Sequence, residues 1–130
     1  MKELERLGYK ASYSDDLFAA EKYFAGSHER RIQEFQRALA DPNTKAVFAA
    51  RGGYGSGYLT GKLTKGNLQP KIVLGASDLT VVHLHLLKHF GWVTFYGPMV
   101  AQEFSRGPEA YDETSLRASL EGRANWVAYE

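Results

Sequence analysis

Twice in this chain a short apolar run ends in a glycine-bearing loop and gives way to a helical pattern. Lys45–Ala50, apolar from Ala46 onward with Val47 and Phe48 at its centre, runs into Arg51-Gly-Gly-Tyr-Gly-Ser-Gly57. Lys71–Leu74, carrying Ile72 and Val73, runs into Gly75-Ala76-Ser77-Asp78, and an apolar helical run begins at Leu79. Strands separated by helices cannot pair as hairpins. The alternation predicts an α/β domain, a parallel sheet with helices on both faces. In such sheets ligands bind outside the carboxyl ends of the strands, so both loops are expected on one edge.

The rest of the chain fits this frame. Met1–Leu7 reads as the last turns of a helix ended by Gly8. Tyr9–Tyr13 reads as a strand, and Leu17–Gly26 as an aromatic loop or short helix. Ser27 is placed to cap a helix reaching about Ala40, with Ile32, Phe35 and Leu39 as its buried stripe. Tyr58–Leu63 is a short helix. Leu79–Phe90 is helical and apolar nearly all round, which predicts cover on most sides. Trp92–Tyr96 is a strand, Asp112–Leu120 a helix, and Asn125–Glu130 strand-like in composition. The chain opens inside a helix, so a sheet lacking its first strand is expected.

Bulk properties narrow the function. The 130 residues suit one domain with a modest core. A formal net charge of +1 gives no push toward nucleic acid or membrane surfaces. The basic Arg30-Arg31 pair lies between Glu29 and Glu34 and reads as a solvated helix face. The chain has no cysteine, which excludes disulfides and thiolate metal sites. No apolar run is long enough for a transmembrane helix, and the first residues lack a signal-peptide core. The default location is the cytoplasm.

The chemistry concentrates at Ser77. A serine on a strand-to-helix turn has its hydroxyl exposed, where α/β hydrolytic enzymes place a nucleophile. The match to G-x-S-x-G is partial, because Leu79 stands where the last Gly would be. Ser and Asp are also preferred helix caps, so capping competes with catalysis as the reason for Ser77-Asp78. The loop holding Gly52, Gly53, Gly55 and Gly57 matches neither G-x-G-x-x-G nor the GK[ST] ending of a P-loop. It is either a structural turn or a source of backbone N–H donors beside a nucleophile. His83 lies about 9 Å along a helix from Ser77, too far for a base that must come within about 3 Å. His85 and His89 are spaced i, i+4, but H-E-x-x-H is not met and no metal is expected. His28 reads as surface.

Three segments together resemble one family. Ala46-Val-Phe-Ala-Ala-Arg-Gly-Gly-Tyr-Gly, Ile72-Val-Leu-Gly-Ala-Ser-Asp-Leu-Thr and Thr94-Phe-Tyr-Gly-Pro-Met are similar in order and spacing to the LD-carboxypeptidases. That family includes murein tetrapeptide carboxypeptidases and microcin C immunity peptidases. The resemblance runs from Leu7 onward and implies the family's N-terminal, nucleophile-bearing domain, a Rossmann/flavodoxin-like three-layer fold. It implies Ser77 as nucleophile, with backbone N–H groups of Asp78 and of Gly52-Gly53 as the oxyanion hole. Tyr54, Tyr96 and Pro98 are expected to line the substrate pocket. Arg51 either shapes that cleft or makes a structural ion pair.

The implied reaction is acyl transfer through a serine ester, without metal or cofactor. The implied substrate is the L–D amide bond before the terminal D-alanine of a murein tetrapeptide, as in peptidoglycan recycling. Full-length relatives imply a homodimer. The family's Glu and His come from a C-terminal domain that this chain lacks, so residues 1–130 alone are expected to be inactive. A non-catalytic module binding a peptide or small molecule is the alternative. A nucleotide-binding domain using the glycine loop is the weakest reading.

Overall fold

The computed structural model describes residues 2–123. Three short parallel strands form its sheet, in the order β1-β2-β3. They are β1 (Ala46–Phe48), β2 (Ile72–Gly75) and β3 (Phe95–Tyr96). Val47 pairs with Val73, Phe48 with Leu74, Leu74 with Phe95 and Gly75 with Tyr96. The helices are α1 (Lys2–Arg6), α2 (His28–Ala40), α3 (Gly57–Thr60), α4 (Thr80–His85), α5 (Glu103–Arg106) and α6 (Glu113–Leu120).

The period of two along each strand sends alternate side chains to opposite faces. Val47 and Val73 pack on one face with Leu39, Val82, Leu86, Phe90 and Trp92, from α2 and the long helical run after β2. Phe48, Leu74 and Phe95 pack on the other with Leu4, Leu7, Phe104 and Leu116, from α1, α5 and α6. The result is the three-layer α/β sandwich expected from the sequence. Ser27 caps α2 by accepting the Arg30 N–H at 3.2 Å. Ile32 and Leu39 are buried as their spacing requires.

Several expectations change. Residues 9–13 form no strand. Tyr9 and Ala11 instead pack against the α1–α6 layer, and the Tyr9 N–H closes on the Leu4 carbonyl. Residues 92–94 precede β3 rather than joining it. The Trp92 N–H goes back to Leu86, and its ring is buried in the helical layer. The run from Ser77 to Phe90 is a 3-10 turn (Ser77–Leu79), then α4, then a π turn (Leu86–Phe90). It is covered on one side only, with Val82, His83, Leu86 and Phe90 inward while Leu84 is 60% and Leu87 56% exposed. A helix lying on a sheet buries one stripe whatever its other faces carry. The tail Asn125–Glu130 lies outside the described residues.

A polar cluster joins the first and last helices. Arg6 bonds Glu3 at 2.8 Å and also pairs with Glu113. Tyr111 donates to Glu3 at 2.6 Å, and Arg117 bonds Glu113 at 2.8 Å. The Arg6 hydrogen bond, then that of Tyr111, lowers Glu3 from 4.5 to about 2. A depressed carboxylate adds stability above its unfolded pKa, and that stability is lost as pH falls through the folded value. Thermal melts should therefore show a Tm that declines between pH 4.5 and about 2. In Glu3→Gln that decline should be shallower; an identical pH profile would show that the cluster does not couple α1 to α6.

Candidate active site

Three loops leave the carboxyl edge of the sheet, and they meet at Ser77. Ala76 continues the strand in extended geometry (φ −142°), and Ser77 then turns to φ +60°. A non-glycine residue in this region is uncommon and costs about 1–2 kcal/mol. The reversal leaves Ser77 exposed on the edge. Its carbonyl accepts from Thr80 Oγ1 at 2.7 Å, and its N–H donates to Tyr96 Oη at 3.2 Å. Below the turn, His83 is 9% exposed and directs Nε2 at the Gly75 carbonyl, 3.0 Å away. A carbonyl can only accept, so the Nε2-H form makes that bond.

The turn requires close approach on both sides. A Cβ on Gly75 would lie 2.8 Å from Ala49 Cβ and 3.1 Å from Leu79 Cγ. A Cβ on Gly52 would lie 3.0 Å from Ser77 Cβ and 3.3 Å from Ser77 Oγ. The backbone of the glycine loop thus stands directly against the serine side chain. The N–H groups of Gly52, Gly53 and Asp78 have no acceptor among the described residues. The loop after β3 completes the edge: Val100 and Ala101 donate to the Ala49 and Ala50 carbonyls at 3.1 and 2.8 Å. Glu103 accepts the Met99 N–H at 3.0 Å, and that bond holds its carboxyl below the ordinary range.

Capping does not account for Ser77-Asp78. Neither the 3-10 turn nor α4 has a side-chain cap. Asp78 instead accepts the Ser56 N–H at 2.9 Å, bridging to the glycine loop. Arg51 is exposed and makes no ion pair among the described residues. Tyr54 and Tyr96 are exposed by 84% and 70%, and Pro98 is half-buried. His28 is not simple surface: it stacks on Tyr58 with ring centroids 4.3 Å apart. Arg31 leaves the solvated face and packs over Phe24, 5.3 Å from its ring centre. His85 and His89 lie with ring centroids 4.7 Å apart, and burial and His89 lower His85. The described residues hold no group of three metal-ligating side chains.

A depression of about 590 Å³ lies elsewhere. Residues 65–70 and 90–92 line it on the strands' amino-terminal edge, with no nucleophile. The chemistry points to Ser77. Sequence reasoning missed the contacts of Tyr96, His83 and Ser56 around it, because they reach Ser77, Gly75 and Asp78 respectively through the tertiary fold.

A serine at positive φ on a strand-to-helix turn, faced by free backbone N–H groups, is the arrangement in which α/β hydrolases place a nucleophile. Residues 1–97 match the LD-carboxypeptidase N-terminal domain, and the chain belongs to that family. It is 32% identical over 102 residues to a probable murein peptide carboxypeptidase of Bacillus subtilis, covering 77% of this chain and 32% of that protein. The fold is similar to the microcin C7 self-immunity protein MccF, with a TM-score of 0.84 and 27% identity over 92% of this chain and 37% of that one. Muramoyltetrapeptide carboxypeptidase from Oxalobacter formigenes gives 0.70 and 32%, over 98% of this chain and 45% of its own. The chain spans about a third of the length of the curated relatives it matches.

The strain at Ser77 can be measured. Glycine takes positive φ at no steric cost, whereas alanine keeps the Cβ that causes it. Ser77→Gly is expected to be about 1 kcal/mol more stable than Ser77→Ala in urea unfolding. Equal stabilities would mean that the turn relaxes once the hydroxyl is gone.

Proposed function

We propose that this chain carries the nucleophile of a serine-type LD-carboxypeptidase that releases the terminal D-alanine of a murein tetrapeptide. The observation that carries the reading is Ser77 at φ +60° on the strand edge, with Gly52 packed against its Oγ. Ser77 Oγ attacks the carbonyl of the L–D amide as its proton passes to a base. The N–H groups of Asp78 and of Gly52-Gly53 take the charge on the carbonyl oxygen. The C–N bond breaks, the D-alanine amine takes a proton, and water hydrolyses the serine ester. No metal or cofactor enters these steps. Arg51, Tyr54, Tyr96 and Pro98 border the approach to Ser77. The setting is cytoplasmic peptidoglycan recycling, with the whole protein as a homodimer. Among the described residues, no helix is long and apolar enough to cross a membrane.

The base is the open requirement. No imidazole or carboxylate bonds Ser77 Oγ among the described residues, and His83 commits Nε2 to Gly75. The Glu and His of the family's C-terminal domain fit that role. The same observation favours a second reading, a module that binds the peptide without cleaving it.

D-Alanine release from murein tetrapeptide, measured on the whole polypeptide that carries this chain, separates the two. Release should fall by at least about 10⁴-fold in Ser77→Ala. Residues 1–130 alone should give none. Tight tetrapeptide binding without release, unchanged in Ser77→Ala, would replace the peptidase with the binding module.

A further inference from the structure

We propose that the Asp78 side chain is a positioning residue: it locks the glycine loop against the serine turn, so that loop and nucleophile move as one unit. This rests on the acyl-transfer reading above. Asp78 follows Ser77 in the chain, where a carboxylate ordinarily caps its own helix. Here Oδ2 crosses instead to the Ser56 N–H, 2.9 Å away. Ser56 is 5% exposed, so this bond is shielded from water.

The loop is pinned from the other side as well. Gly55 is buried with φ +102°, and a Cβ there would meet Phe24 Cε1 at 2.8 Å and Arg31 Nη2 at 2.9 Å. Arg31 has no carboxylate ion pair among the described residues. The Asp78 charge favours its guanidinium against the cost of burial. Asp78 and Arg31 therefore hold Gly55-Ser56 between them. A short step along the same loop is Gly52, whose backbone stands against Ser77 Oγ. A hydrogen bond to a charged acceptor is among the stronger ones available to fix such a loop.

The test uses the whole polypeptide in five forms: wild type, Asp78→Ala, Asp78→Asn, Ser56→Pro and the double variant that joins Asp78→Ala to Ser56→Pro. Ser56 has φ −63°, so proline fits the backbone there while removing the N–H. Amide exchange at Tyr58 and Leu59, whose N–H groups bond the Gly55 and Ser56 carbonyls at 3.2 and 3.0 Å, reads the clamp without reference to catalysis. D-Alanine release gives kcat and KM. Asp78→Ala and Ser56→Pro are each expected to speed exchange at Tyr58 and Leu59 by about tenfold to a hundredfold. Each should lower kcat by a similar factor with KM unchanged, and the double variant should be no worse than either single one. Asp78→Asn, which keeps an acceptor oxygen, should recover most of both.

Unchanged exchange at Tyr58 and Leu59, or losses that add in the double variant, would overturn the proposal. So would faster exchange with kcat unaffected. An Asp78→Ala that fails to fold leaves Ser56→Pro and Asp78→Asn to decide. A wild type without turnover would sink the acyl-transfer reading while the exchange result still judges the clamp.

Discussion

The backbone reversal at Ser77 is the constraint on which the rest of the site depends. A strand that ends in the interior of a parallel sheet must leave it abruptly if its last side chain is to stand clear of the edge. Ser77 does this in a left-handed conformation that costs about 1–2 kcal/mol, so the surroundings must over-determine it. They do so from three directions. The Thr80 hydroxyl holds the Ser77 carbonyl, the Tyr96 hydroxyl accepts its N–H, and His83 holds the carbonyl of Gly75 from below. The layers beneath are packed on both faces, so the sheet end is a rigid platform for the turn.

The site is built mostly of backbone. Gly75 lets the strand pass Ala49 with no room for a side chain, and Gly52 lets the facing loop reach the serine itself. A side chain at either place would push the two loops apart by part of an ångström or more. Oxyanion stabilisation is sensitive to that scale, because donors must lie near 3 Å from the developing charge. Gly52 and Gly55 of the loop therefore have a steric cause and Gly53 a positive φ of +133°, and none of the three needs a phosphate to explain it.

Much of this was legible in the sequence for local reasons. The alternation of the apolar runs at Ala46–Ala50 and Ile72–Leu74 with helical runs foretold two covered faces. The Ser27 cap and the Ile32–Leu39 stripe delimited α2. Gly75-Ala76-Ser77-Asp78 after a β-branched run marked the turn, and the linked loop motifs marked the family. What was not legible depends on partners distant in sequence. Asp78 chose Ser56 over its own helix, Arg31 left a charged face for Phe24, and Tyr9–Tyr13 gave up strand geometry to pack against α1 and α6. Leu84 and Leu87 made the helix read as covered all round, because composition does not tell which face a sheet will take. Cap preference and strand propensity each amount to about a kilocalorie, so a single tertiary contact can override them.

The division of labour in the proposed mechanism follows from the same geometry. A strained turn and donors fixed in backbone are best supplied by one continuous packed unit, since their spacing must hold to fractions of an ångström. A general base has a looser requirement: one imidazole within hydrogen-bond reach of Oγ, oriented by a second group. That can be delivered from a separate part of the polypeptide. The exposed edge around Ser77, next to the exposed Tyr96, leaves the hydroxyl open to such an approach. His83, the imidazole closest in sequence, serves the opposite end of the problem: buried under the turn, it supports the nucleophile's backbone and has no contact with the hydroxyl. In the proposed reading, the described residues supply the part whose precision depends on folding, and the proton-transfer part can come from elsewhere in the polypeptide.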